Sequence, residues 1–236
     1  MNNKANVHNI FSSIARRYDT LNTVLSFNVD RSWRRKAIDI CTLEKKDRVL
    51  DLCCGTGQMI DYICRKVGND TEVIGLDFNQ EMINVGYERL AEPLRSYKYK
   101  LVQGDVMKLP FDDCSFDCIT IAFGLRNAPD KAVALSEMYR VLKPGGRAVC
   151  LELSNPELPV FKELYAIYFN YILPVVGLVG TGDKAAYFYL RDSVKGFMSK
   201  DELKQAFSRT GFVDAGYLSL TCGIAAIHYG IKADKK

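Results

Sequence analysis

Five short apolar, β-prone runs succeed one another along the middle of the chain, with segments of helical periodicity in the gaps. The runs are Arg48–Leu52, Glu72–Leu76, Tyr99–Gln103, Asp117–Ala122 and Arg147–Leu153. Between them lie "MIDYICRKVG", "QEMINVGYERLAEPL" and "DKAVALSEMYRVLKPGG". The third segment puts Val133, Leu135, Met138, Val141 and Leu142 at helical spacing, and its helix is predicted to end at Lys143, before Pro144-Gly145-Gly146. Parallel strands need a crossover between them, so this alternation predicts an α/β fold: a mostly parallel sheet with helices on both faces.

The chain's last third departs from that rhythm. "DELKQAFSRTGF" reads as a helix closed by Gly211, and "DAGYLSLTCGIAAIHYGIK" as two strands hinged near Cys222-Gly223, an antiparallel hairpin on the sheet edge. Residues 8–41 read as helical, and residues 155–195 as a lid-like insertion rich in Tyr, Phe and Pro. With 236 residues and no internal repeat, the whole of 1–236 is expected to form one domain around a sizeable core.

Several function classes drop out on composition. The net charge of +4 comes with no Lys/Arg block of the kind that tracks nucleic acid, so no nucleic-acid partner is expected. The N-terminal "MNNKANVHNIFSSIARRYD" has no apolar signal core, which predicts a cytoplasmic address and eight reduced cysteines. No CxxC pair occurs and histidines number two, so no metal site is expected. The charge-free run from Leu164 to Gly180 is short for a span and contains Asn170, three tyrosines, Pro174 and two glycines; it reads as a greasy surface helix or lid. His8 and His228 are expected to have no functional role.

The chemistry lies in "VLDLCCGTGQMI" (Val49–Ile60). No Lys follows Gly57, so this is not a phosphate-binding P-loop, and Ile60 stands where a dinucleotide fingerprint has its third glycine. What remains is Asp51 at a strand end, then Gly55-Thr56-Gly57 in a turn that lets backbone approach a ligand. An acid beside such a turn suits a ligand with a cationic head and a ribose but no pyrophosphate, and S-adenosylmethionine has that charge pattern. Asp77 ends the second strand about 20 residues on, where an acid in such folds accepts from ribose hydroxyls. Asp105, after the third strand, is placed for the adenine amino group and Val106 for its ring.

This arrangement resembles the class I S-adenosylmethionine-dependent methyltransferases, whose Rossmann-like seven-stranded sheet ends in the same antiparallel hairpin. Two stretches narrow the resemblance. "YDTLNTVLSFNVDRSW" (Tyr18–Trp33) and "RVLKPGGRAVCLELSNP" (Arg140–Pro156) are similar to the two signatures of the ubiquinone/menaquinone biosynthesis C-methyltransferase family, and "FGLRNAPD" (Phe123–Asp130) and "YFYLRDSVKGF" (Tyr187–Phe197) also match it. The resemblance extends from about Ile10 to Ile231. It implies carbon methylation of a polyprenylated naphthoquinol, the last step of menaquinone biosynthesis, with a benzoquinol or another small apolar acceptor as the alternative. It also implies transient contact with a membrane surface, peripheral at its inner face, while the oligomeric state stays open. The family carries Gly then His where this chain has Asn28 and Asp30, so no role transfers there, and Ala122 stands where relatives often have a serine.

Arg126 and Asn127 follow the fourth strand, at the carboxyl edge where such sheets bind ligands. With Tyr18 they are the expected catalytic group, favouring a phenolate or orienting a water. Arg126 stays protonated and is no base itself. Two rivals remain open on residues alone: methyl transfer to a different acceptor, and cofactor binding without turnover.

Overall fold

The computed structural model describes residues 4–156, 163, 165 and 185–234. Most of the expected lid, and nearly all of the Leu164–Gly180 run, lie outside the described residues. Seven strands form one sheet: β1 (Val49–Leu52), β2 (Glu72–Asp77), β3 (Lys98–Gln103), β4 (Phe116–Ala122), β5 (Leu142–Leu153), β6 (Phe212–Leu220) and β7 (Ala225–Lys232). Their order is β3-β2-β1-β4-β5-β7-β6. β1 pairs in parallel with β2 and β4, and β7 runs antiparallel to both β5 and β6. The hairpin therefore slots its second strand in first and leaves β6 at the edge.

Each strand of the centre is buried on both faces, as a parallel sheet requires: all four residues of β1 are buried. On one face Val49, Val73, Cys118 and Val149 pack beneath α3 (Asp30–Cys41), α4 (Gln58–Val67) and α5 (Gln80–Leu90). On the other, Leu50, Ile74, Ile119 and Cys150 meet α6 (Lys131–Val141) and α8 (Lys200–Thr210). α8 starts in a Ser199–Glu202 capping box and stops at Gly211, whose φ of 109° is the left-handed cap expected of it.

The segment 8–41 is helical throughout most of its length: α1 (Lys4–Ile14), a 3-10 turn, α2 (Tyr18–Leu25) and α3. α1 and α2 form a small apolar cluster with α7 (Ala185–Lys195), in which Ile14, Leu21 and Val194 are buried.

One boundary differs from expectation. α6 ends at Val141, not Lys143, and β5 begins at once at Leu142. Pro144-Gly145-Gly146 is taken into β5 as a bulge: the pairing passes from Phe116↔Leu142 to Cys118↔Arg147. Lys143 Nζ donates to both carboxylate oxygens of Asp117 at 2.7 and 2.8 Å, which pins that bulge to β4. Val133, expected on the apolar face of α6, is 38% exposed.

Candidate active site

The carboxyl ends of β1, β2 and β4 open onto a cleft that encloses about 1050 Å³, its mouth included. It lies where the strand order reverses, between β1 with its neighbour β2 on one side and β4 on the other, the usual ligand crevice of an open α/β sheet. Of the residues expected to bind or react, Tyr18, Gly55, Thr56, Asp77, Asp105, Val106 and Asn127 line it. Asp51, Gly57 and Arg126 are outside its described lining.

The turn after β1 is built by backbone conformations that side chains disfavour. Cys53 has φ 51°, Gly55 54° and Gly57 76°. At Gly57 a Cβ would also stand 2.6 Å from Leu90 Cδ1, so that position is closed twice over. Asp77 holds the turn in place: one carboxylate oxygen accepts from Gly55 N at 2.8 Å and the other from Asn79 N at 2.8 Å. Asn79, rather than Asp77, caps α5, accepting from Met82 N. Burial raises the Asp77 carboxyl above its ordinary range, opposed by those backbone donors.

Thr56 turns its hydroxyl toward the N-terminal helices, donating to Asp19 Oδ1 at 2.6 Å. Arg89 completes that knot, with Nε 2.9 Å from the Thr56 carbonyl and 3.5 Å from Asp19 Oδ2. Across the cleft, Asp105 accepts from Met107 N at 3.0 Å and Val106 is buried beside it.

Arg126 is 6% exposed and its neighbour is a buried acid. Nη1 donates to Glu152 Oε2 at 2.7 Å and to the Phe123 carbonyl at 2.6 Å, while Glu152 Oε1 accepts from Arg126 N at 3.1 Å. Nε is buried without a hydrogen-bond partner among the described residues. The charge is felt by two phenols, Tyr18 and Tyr189: burial raises both above the usual tyrosine value and Arg126 pulls them back. Both stay neutral donors near neutral pH. Tyr189 on α7 donates to Asn127 Oδ1 at 2.7 Å, which leaves Nδ2 as the donor of that amide.

The family model of the "ubiE/COQ5 methyltransferase family" matches residues 1–232. This chain belongs to that family. A Staphylococcus aureus (strain JH9) protein named "Demethylmenaquinone methyltransferase" is 46% identical over 230 residues, covering 98% of this chain and 94% of that protein. Among solved structures, the [4+2]-cyclase SpnF aligns with a TM-score of 0.69 at 16% identity, covering 96% of each chain. A SAM dependent methyltransferase from Aquifex aeolicus aligns at 0.62 and 19%, over 84% of this chain and 88% of that one. These likenesses carry the fold, and a cyclase on the same fold is a reminder that the reaction is set by the site.

Sequence reasoning missed five residues of this methyltransferase's cleft. His8, given no role, lines it, packs edge-on to Phe78 at 5.9 Å, and offers its carbonyl to Asn79 Nδ2 at 3.0 Å. Arg34 and Phe11 also line it, and Tyr189 and Glu152 organise Asn127 and Arg126. The Asp30/Arg34 pair could have been found from its i,i+4 spacing on a helix. Contacts across 26 or 62 residues leave no local signal. His228, the other histidine, is buried in β7, where burial lowers it to about 4.

Asp51 is 1% exposed. Thr120 Oγ1 donates to Oδ1 at 2.6 Å, but Oδ2 has no partner among the described residues, and burial raises the carboxyl from 3.8 to about 7. A cation beside Oδ2 would satisfy that atom and favour the carboxylate. In the free protein the raised value works against stability as pH rises. The folded chain keeps a proton that the unfolded chain releases, so stability is full below about pH 4 and eroded up to about pH 7. Chemical denaturation of wild type and Asp51→Asn at pH 4 and 8 tests this. The wild type should lose about 2–4 kcal/mol relative to the variant between those pH values; parallel curves would mean Asp51 is ionised throughout.

Proposed function

We propose that this chain transfers a methyl group from S-adenosylmethionine to the ring carbon of demethylmenaquinol, giving menaquinol. The observation that carries the reading is the 46% identity, over 98% of this chain, to a curated demethylmenaquinone methyltransferase. The residues present suit the donor: a buried acid with an unmet acceptor at β1, a glycine turn, an acid ending β2, and the Asp105-Val106 pair after β3. In this reading Asp77 takes the ribose, Asp105 and Val106 the adenine, and Asp51 with Gly55, Thr56 and Gly57 the methionyl end. When bound, S-adenosylmethionine supplies an electrophilic methyl group on a sulfonium.

The protein's part is alignment and charge. A quinone ring carbon is electrophilic, so the acceptor is the reduced quinol, whose carbon beside a hydroxyl is nucleophilic. That hydroxyl loses its proton as the new carbon–carbon bond forms; the methylated ring carbon then gives up its own hydrogen as a proton and the oxygen regains one, which restores the aromatic quinol. Tyr18 and Asn127, on the wall, donate hydrogen bonds to its oxygen. Arg126 works one layer back: its charge, anchored by Glu152, favours negative charge on the oxygen and keeps the two phenols from rising further. Tyr189 is a positioning residue that fixes which way the Asn127 amide faces.

The acceptor's prenyl tail brings the protein to a lipid surface. Among the described residues no helix is long and apolar enough to cross a membrane. Co-sedimentation with lipid vesicles should therefore be reversible and salt- or dilution-sensitive; extraction only by detergent would contradict a surface encounter.

Turnover with a short-chain demethylmenaquinone, assayed with and without reductant, tests the acceptor. Methylation should require reductant, and equal rates with the oxidised form under strictly oxidising conditions would sink the quinol reading. The same assay addresses Arg126. Arg126→Ala would leave Glu152 buried and unpaired, at a cost of about 3–5 kcal/mol, so Arg126→Lys is the cleaner variant. Lys keeps the charge, but its ammonium ends one bond short of Nη1, the nitrogen that bonds both Glu152 and the Phe123 carbonyl. Turnover should fall about 10²–10³-fold, with S-adenosylhomocysteine affinity within a factor of about three. Tyr189→Phe should cost about 10-fold in turnover through the freed amide. Normal turnover of Arg126→Lys would reduce Arg126 to a structural partner of Glu152.

A further inference from the structure

We propose that Arg34 is the carboxylate-recognising group of the cleft and takes the α-carboxylate of the methionyl end of S-adenosylmethionine. The inference rests on the donor assigned above. Asp30 and Arg34 stand one turn apart on α3, each side chain only 5% exposed, with Arg34 Nε 3.5 Å from Asp30 Oδ2. Asp30 is itself fixed by Ser26 Oγ, which donates to Oδ1 at 2.9 Å. The guanidinium lies 5.0 Å over the Phe123 ring, against the wall that Cys53, Ala122 and Phe123 form. Ion pair and ring fix the plane of the fork.

Both bonds to protein leave the outer end of that fork unused. Nε is the guanidinium nitrogen that bonds Asp30; the two Nη groups have no hydrogen-bond partner among the described residues, and Arg34 lines the cleft. A buried cation with unmet donors costs stability unless an anion or water completes it. Asp51 supplies the mirror image close by. It is a buried acid with one unmet oxygen, near enough for the Arg34 charge to act on it. A cation with free donors and an acid with a free acceptor together match a zwitterion, the α-ammonium and α-carboxylate of an amino acid. The acceptor quinol has no such pair of charges. Its developing phenolate is answered by Tyr18, Asn127 and Arg126, although Tyr18 also feels Arg34.

The ion pair with Arg34 gives Asp30 its role on α3. A fork held at Nε by a carboxylate and on its face by a ring can meet a second carboxylate with both Nη groups.

Calorimetry on the full chain separates this from other roles. The ligands are S-adenosylhomocysteine, which has the whole amino-acid end; decarboxylated S-adenosylmethionine, which keeps only the amine; and 5′-methylthioadenosine, which has neither. Arg34→Met should weaken S-adenosylhomocysteine by about 10–100-fold, the range for losing a charge-assisted pair. Affinity for the other two ligands should stay within a factor of about three, which also shows the cleft intact. Asp30→Asn/Arg34→Met avoids a lone buried carboxylate and should give the same pattern. Equal weakening of all three ligands would overturn the proposal, as would full S-adenosylhomocysteine affinity with a raised KM for the quinol. If the wild type binds none of the three, the donor assignment itself falls and this inference with it.

Discussion

The cleft depends on the two hydrogen bonds that Asp77 accepts from Gly55 N and Asn79 N. They tie the end of β1, the end of β2 and the start of α5 to one carboxylate. Without that tie, a turn with three left-handed residues within five positions would have to hold its shape by its own conformational preferences, which oppose it at Cys53. The same carboxylate lines the cleft, so the group that builds the turn is also presented to the ligand. Burial raises its pKa, and the two backbone donors act in the opposite direction.

From that turn the order spreads to the N-terminal helices. Thr56 bonds Asp19 of α2, and Arg89 of α5 closes on both. Asn79 reaches α1 twice, at the His8 carbonyl and at Ser12 Oγ 2.8 Å away. Packing in this region is modest, a satellite cluster around Ile14, Leu21 and Val194, and the polar ties give its helices a fixed seat over the cleft. The seat is what places His8, Phe11 and Tyr18 around a site whose floor comes from strands.

The strands were legible because a buried parallel sheet leaves uninterrupted apolar runs, and β1 to β4 start within one residue of their expected positions. β5 was not legible at its start. Pro144-Gly145-Gly146 ordinarily stops a helix, and it does, but the sequence cannot reveal that the sheet takes up the same residues as a bulge held by Asp117. The glycine turn and the acid after β2 could be read from spacing alone, since both are local. Arg126 could be placed at the right edge, yet its partner Glu152 lies on the neighbouring strand, and no periodicity links them. Tyr189 is further still, on the helix that closes the insertion, so its bond to Asn127 is a property of the fold.

Two buried cations distinguish this site from a plain nucleoside cleft, and they differ in how they are satisfied. Arg126 spends Nη1 on Glu152 and a carbonyl, so its charge is largely neutralised at close range and reaches the cleft mainly through the phenols it faces. Such a pair adds little net stability over a hydrophobic replacement, but it fixes a polar direction inside an apolar wall. Arg34 spends only Nε, on an acid already bonded to Ser26, and keeps its outer donors toward the cleft. An internally satisfied cation is suited to shaping charge that appears during reaction, because a fixed partner resists reorientation. A cation with donors to spare is suited to a ligand charge that is present from the start. The division between binding end and reacting end thus follows from which donors the protein has already used.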